Sequence, residues 1–203
     1  MTNNLRERRR RQTAREIQQA ALRLSLRLGY DVVTADAIAV EAGISPRTFF
    51  NYYNNKQAAI LGVPPCLDPE SSDWFVTSRQ PLLEDVARVL AEVVDEHRLD
   101  RDLMCLMQKL IEAEPQLLPL FRASLDAVTL DLTTLLTRRM GQDAEPQAHL
   151  IATLASSALS LAVRAWAADD GMDQSRIIAM MRQQLVEVCK WLGKPGTDEA
   201  PPG

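Results

Sequence analysis

Ser45, Arg47, Thr48, Asn51 and Tyr52 crowd eight residues of the chain with hydrogen-bonding side chains. A guanidinium in such a group can read a guanine edge and hydroxyls can hold phosphate oxygens, so the chemistry on offer is recognition of a nucleic acid. Catalysis is not expected. The only two histidines, His97 and His149, lie outside any His-x-x-x-His or Glu-x-x-His spacing that would make a metal or proton-transfer site. No glycine-rich phosphate loop, nucleophile elbow or paired carboxylates stand out, and no cofactor or metal is implied.

Such side chains read DNA only if a short helix presents them. Gly43 lies in the turn Ala42-Gly43-Ile44-Ser45 and supplies its backbone freedom. Ser45 can cap the following helix, with Pro46 at its first turn, where a missing N–H does no harm. That helix is expected over about 46–53, preceded by one that Thr34 caps and that runs through Ile38, Ala39 and Ala42. Together they read as a helix-turn-helix with a small core of Ile38, Ala39, Ala42, Ile44 and Phe49. Upstream, Thr13 with Glu16 three residues on has the form of a capping box, and Ile17, Ala20, Ala21, Leu24 and Leu28 follow at helical spacing to Gly29. A first helix is therefore expected over about 13–28. Lys56 opens a further one through Leu61.

The charge is divided in a way that suits this reading. Residues 1–60 hold 10 Lys and Arg against 5 Asp and Glu, while residues 61–203 hold 13 against 22, so a head of +5 sits on a body of −9 within a net −4. An anion such as DNA would dock at the head. Arg6 and Arg8 to Arg11 precede the head, either as a solvated tail or as an arm entering the adjacent minor groove.

The composition, 46% hydrophobic with 5% aromatic residues, points to an all-α chain. A DNA-binding domain is expected over 1–61, a Pro- and acid-rich connector over 62–81, a helical body over 82–192 and a frayed tail over 193–203. Body helices are expected at about 82–97, 101–113, 116–139, 145–168 and 173–192. Cys66, Cys105 and Cys189 form no CxxC pair, which predicts reduced thiols. No signal peptide or membrane span is expected at the N-terminus, where charges interrupt the apolar stretch, and the expected location is the cytoplasm.

The register over 34–56 resembles the head of the TetR family of regulators, in Thr34, Ile38, Ala39, Ala42, Gly43, Ile44, Ser45, Thr48, Phe49, Phe50, Tyr52, Tyr53 and Lys56. The resemblance covers about residues 13–61, and beyond that only helical layout and length. It implies a three-helix head on a ligand-binding and dimerisation body, and a repressor released from a palindromic operator by a small ligand. Thr34, Ser45, Thr48, Tyr52 and Lys56 would hold phosphates, and Pro46, Arg47 and Asn51 would face bases. Phe50 replaces the more frequent Tyr, which leaves packing against a thymine methyl or a sugar.

The resemblance also implies a homodimer through the last two long helices. The small residues of 145–168 would then let a partner helix approach, with Ala155, Ala158, Leu159, Ala162, Leu185 and Val188 at the interface. Two joined heads can read a palindrome that one short helix cannot find alone. For an effector, Met104, Met107, Gln108, Ile111, Phe121, Leu125 and Trp166 make an apolar set, which suits a hydrophobic ligand of acyl type. Gln108, His97 and Arg122 are candidate polar anchors; each also reads as an ordinary surface residue. The alternative is a regulator that binds DNA constitutively or answers to a protein partner.

Overall fold

The computed structural model describes residues 2–65, 67, 73–97 and 99–193, and among these every regular element is helical. Helices α1 (Thr2–Leu28), α2 (Ala35–Glu41), α3 (Pro46–Phe50) and α4 (Lys56–Leu61) form the head. The short α5 (Asp73–Thr77) leads to α6 (Leu82–His97), α7 (Arg101–Ala113), α8 (Leu118–Met140), α9 (Glu145–Ala168) and α10 (Arg176–Leu192). Cys66 and residues 194–203 lie outside the described residues.

Two expectations about local structure need correction. Helix α1 begins at Thr2 rather than near Thr13, because Leu5 to Gln12 contains only good helix formers and nothing to stop the helix. Thr13 is thus interior, and Glu16 accepts from Gln12 Nε2 at 2.8 Å instead of closing a capping box. Arg6 and Arg8 to Arg11 ride on this helix rather than on a solvated tail. The stretch between Gly62 and Pro81 also carries more than a link. It contains α5, whose Phe75 is fully buried in the body beside Val86, Leu90 and Leu135. A guanidinium covers that ring: Arg139 stands 5.0 Å over Phe75 and bonds buried Asp85 at 2.6 Å.

Two hydrophobic clusters organise the chain. One gathers α5, α6, α8, α9 and α10, with the alanines of α9 at 148, 152, 155, 158 and 162 all buried in it. Small side chains let α8 and α10 approach α9 closely, the steric role that alanine rows play in helix packing. By length and composition, Gln142–Ala168 is apolar enough to cross a membrane, and 33% of its most apolar stretch is buried inside the chain. The second cluster is the core of the head, with Ile17, Leu22, Ile38, Phe49 and Ile60, and it also takes Leu103, Met107, Leu110 and Leu117 from the body.

Helix α7 therefore lies along α1. Its Asp100 N-cap accepts from Leu103 N–H at 3.2 Å and pairs with Arg15, while Glu114, the residue after α7, accepts from Tyr30 N–H at 3.0 Å. That N–H, with the Gln116 amide, holds the Glu114 carboxyl below its ordinary value. Gly29, with φ +88°, makes the left-handed step that ends α1 and presents the Tyr30 N–H.

Candidate nucleic-acid interface

Caps set the boundaries of the two short helices. Thr34 Oγ1 accepts from Ala37 N–H at 3.1 Å to start α2, and Ser45 Oγ accepts from Thr48 N–H at 3.1 Å to start α3. Between them Gly43, at φ +68°, turns the chain in a conformation that side chains with a Cβ rarely adopt. Phe49 is fully buried and anchors α3 from below, with Phe50 edge-on at 5.3 Å and Tyr53 at 6.3 Å. Burial pushes the Tyr53 hydroxyl up to about 12, so it stays protonated and donates to Ala14 O at 3.2 Å. In this way α1 and α3 are tied together.

What remains outside is a short polar and aromatic ridge. Pro46, Arg47, Phe50 and Asn51 are exposed, and Thr48 and Tyr52 are half-buried. Phe50 leaves 52% of its surface open, unusual for a phenylalanine with a core beside it. Asn51 and Tyr52 lie just past the end of α3, which is shorter than the 46–53 expected, because the Tyr52 N–H bonds the Phe49 carbonyl three residues back and tightens the last turn. Among the expected phosphate ligands, Thr34 and Ser45 use an acceptor lone pair for capping, and a capping hydroxyl keeps its O–H as a donor. Ser45 and Thr48 hydroxyls also share one bond at 2.8 Å, so that pair has one O–H left for a phosphate.

Lys56 is placed differently from expectation. Its Nζ bonds the carbonyls of Tyr30 at 2.8 Å, Asp31 at 3.3 Å and Val33 at 3.0 Å, and stands 4.3 Å over the Tyr30 ring. An ammonium has three donors, and all three are turned inward. Lys56 thus fastens α4 to the α1–α2 turn instead of reaching for a phosphate. Lys56→Ala is expected to destabilise the head by about 1.5–3 kcal/mol, the range for hydrogen bonds to a charged group. Thermal unfolding of the variant checks this, and an unchanged midpoint would return Lys56 to the phosphate role.

The apolar set expected to bind an effector divides. Met107, Ile111 and Phe121 do meet, joined by Leu110, Leu117 and Leu120 and, from the head, by Tyr30, Gln57, Ile60 and Leu61. Those head residues were not foreseen; the spacing of α4 signals a buried face but not what it faces. The cavity between them is only about 10 Å³, room for about one water. Met104 touches both clusters. Trp166 lies elsewhere, in the body core under the Arg101 guanidinium at 4.5 Å, and its indole N–H meets no acceptor among the described residues. Gln108 turns to Glu112 of its own helix at 3.2 Å, Leu125 is half-buried on α8, and Arg122 is exposed. The side chain of His97 lies outside what is described.

The dimer set divides. Ala155, Ala158 and Ala162 are 1%, 6% and 0% exposed within the single chain, because α8 and α10 already cover them. Leu159 and Leu185 are half-buried, and Val188 is open. The exposed apolar side of α9 is instead Leu150, Leu154 and Leu161, continued on α10 by Val188, Trp191 and Leu192. Between the two helices runs a groove of about 560 Å³ whose lining includes Leu154, Leu161 and Met180 together with Ala158, Leu185 and Val188 of the expected set. Among the described residues no group of three His, Cys, Asp or Glu is placed to hold a metal.

A small helical head, with a capped recognition helix raised on an aromatic anchor, is the build of a helix-turn-helix DNA-binding protein. Residues 17–61 match the family model of bacterial regulatory proteins of the tetR family. The match spans the C-terminal part of α1 together with α2, α3 and α4, and none of the body. No curated protein matches the chain. Among solved structures, a putative TetR-family transcriptional regulator from Mesorhizobium loti shares 12% identity, covering 90% of this chain and 98% of that one, at a TM-score of 0.46. FadR of Thermus thermophilus, a TetR-family transcriptional repressor in complex with lauroyl-CoA, shares 22% identity, covering 94% and 100%, at 0.33.

Proposed function

We propose that the protein is a homodimeric repressor that reads a palindromic operator through α3 and lets go of it when an apolar effector parts the head from the body. The ridge of Pro46, Arg47, Phe50 and Asn51, exposed above a fully buried Phe49, carries the reading, because a recognition helix needs side chains facing out on a rigid base. Arg47 is the base reader and the Thr34, Ser45 and Tyr52 hydroxyls position it on the backbone. The two heads are joined through the outward leucines of α9 with Val188 and Trp191 of α10. Six large apolar side chains at helical spacing across two adjacent helices are the sort of patch that a second copy covers in a two-fold interface.

The switch lies at the junction of α1, α4, α7 and α8. Its lining is apolar except for Gln57 and the Tyr30 hydroxyl, which suits an acyl-type ligand. With room for about one water, the cavity takes such a ligand only if α7 and α8 move from α1 and α4. Any occupant therefore prefers a displaced head. Heads must stand about 34–36 Å apart to meet successive major grooves, so a shift of a few Å loses contacts in both half-sites. The closed junction also suits a regulator that answers to no small molecule, and titrating acyl thioesters into the DNA complex separates the two readings: release supports the first.

DNA selected from a random pool by the full protein gives the operator. On it, Arg47→Ala is expected to relax preference at one position of each half-site by about 1–3 kcal/mol. A variant with wild-type preference by competitive gel shift would remove Arg47 from the reading role, and a wild-type protein that enriches no sequence would remove the function.

A further inference from the structure

The positive charge of the head does not lie on its helix-turn-helix. Residues 1–16 carry six arginines against two glutamates, a net +4, whereas residues 17–60 carry Arg23, Arg27, Arg47 and Lys56 against Asp31, Asp36 and Glu41, a net +1. Of those four cations, Arg27 is paired with Glu41 at 2.9 Å and Lys56 is turned onto backbone carbonyls. The segment that matches the tetR-family model thus brings little net charge to a polyanion, although phosphate neutralisation supplies most of the sequence-independent affinity of DNA-binding proteins.

The missing charge is carried in a defined place. Arg6, Arg8, Arg9 and Arg10 are exposed on the first turns of α1. Successive residues of a helix turn by about 100°, so these four point around the axis, and Leu5, the one apolar side chain described before Ala14, is 60% exposed. Packing gives no account of it. Its position does, because the Tyr53 hydroxyl bonds Ala14 O just past the end of α3, and the extension leaves the head beside the recognition helix. From Ala14 back to Arg6 a helix covers about 12 Å. Duplex DNA presents one negative charge per about 1.7 Å of axis, so this length can face several phosphates beyond the groove that α3 enters.

We propose that the helical extension, through Arg6, Arg8, Arg9 and Arg10, is a phosphate-binding element that grips the DNA backbone flanking each half-site. It supplies strength without sequence preference, and α3 supplies preference with little strength. The proposal rests on the reading that α3 docks in the major groove. The test uses the full chain and a variant with Arg6→Gln, Arg8→Gln, Arg9→Gln and Arg10→Gln, since glutamine keeps helix propensity close to that of arginine. Binding to the selected operator and to a scrambled duplex is measured by anisotropy over a range of salt. Each lost phosphate contact lowers the slope of log K against log salt by about 0.9, so a drop of about 3–4 per protomer is expected. Affinity at about 0.1 M salt should fall at least tenfold on both duplexes, with their ratio unchanged. Trimming the flanks from the operator should weaken the wild type and leave the variant unaffected. Circular dichroism and sedimentation matching the wild type would show that fold and assembly are intact. An unchanged slope, or a loss confined to the operator, overturns the proposal while leaving the function standing, whereas a wild type that prefers no sequence brings down the underlying reading.

Discussion

Leu154→Glu should yield a folded monomer with little operator affinity, whereas Ala155→Glu, one residue along the same helix, should unfold the body. Leu154 is 45% exposed on the outward side of α9, so a carboxylate there stays in water in the single chain and becomes buried only when a second copy covers it. Ala155 is 1% exposed beneath α8 and α10, where a glutamate is both too large and without a cation. An uncompensated buried charge costs about 3–5 kcal/mol, a large share of the stability of an ordinary domain. Sedimentation and circular dichroism separate the two variants. A Leu154→Glu protein that remains a dimer would move the interface off this face, and an Ala155→Glu protein that folds normally but dissociates would put the alanines in the interface after all.

Arg139→Ala should cost a similar amount for the converse reason. Asp85 is 4% exposed, and Arg139 bonds it at 2.6 Å while also donating to the carbonyls of Phe75 at 3.3 Å and Gln80 at 2.7 Å. Burial by itself raises the Asp85 pKa, but the Ser78 hydroxyl and the Arg139 guanidinium outweigh it and hold the carboxyl below its ordinary 3.8. A folded-state pKa below the unfolded one means that this pair stabilises above about pH 4 and that the contribution fades as pH falls through the lower, folded value. Without Arg139 burial is opposed by the Ser78 hydroxyl and the more distant charge of Arg88, and Asp85 becomes a buried carboxylate without a bonded cation, relieved by taking a proton. The deficit of the variant should therefore be about 3–5 kcal/mol at neutral pH and narrow in acid, read by urea unfolding at both. A deficit that is the same at both pH values would mean that the loss comes from packing of the guanidinium over Phe75 alone.

The recognition helix was legible because its signals are local. Ser45 as a cap, Pro46 at the first turn, Gly43 in the turn and Phe49 as the inward aromatic each act within a few residues, and the structure places them as their chemistry demands. The five body helices were legible too, since Asp100, Pro115 and Gly141 stop or start helices by sterics and capping that need no partner. Lys56 shows the limit. Its place in the motif is visible in the sequence, but its three acceptors lie some 23 to 26 residues upstream, and only the path of the chain after α1 brings them under the ammonium.

Helix α9 marks the boundary between the two kinds of information. Its sequence is apolar on opposite sides, with Ala148, Ala152, Ala155 and Ala162 on one and Leu150, Leu154 and Leu161 on the other. Periodicity shows that both sides want cover and cannot say which is covered from within the chain. The same holds for α7, whose stripe of Leu103, Met107 and Leu110 reads equally as a pocket wall or a packing face, and which the tertiary structure lays on α1. The sequence by itself determined an all-helical chain with a helix-turn-helix at its N-terminal end and a positive charge concentrated there, because propensity, capping and charge are properties of neighbouring residues. Only the tertiary structure decided that the alanines of α9 serve α8 and α10, that its leucines are left facing outward and that the head shares its core with the body, because the choice among apolar faces depends on which helices arrive beside them.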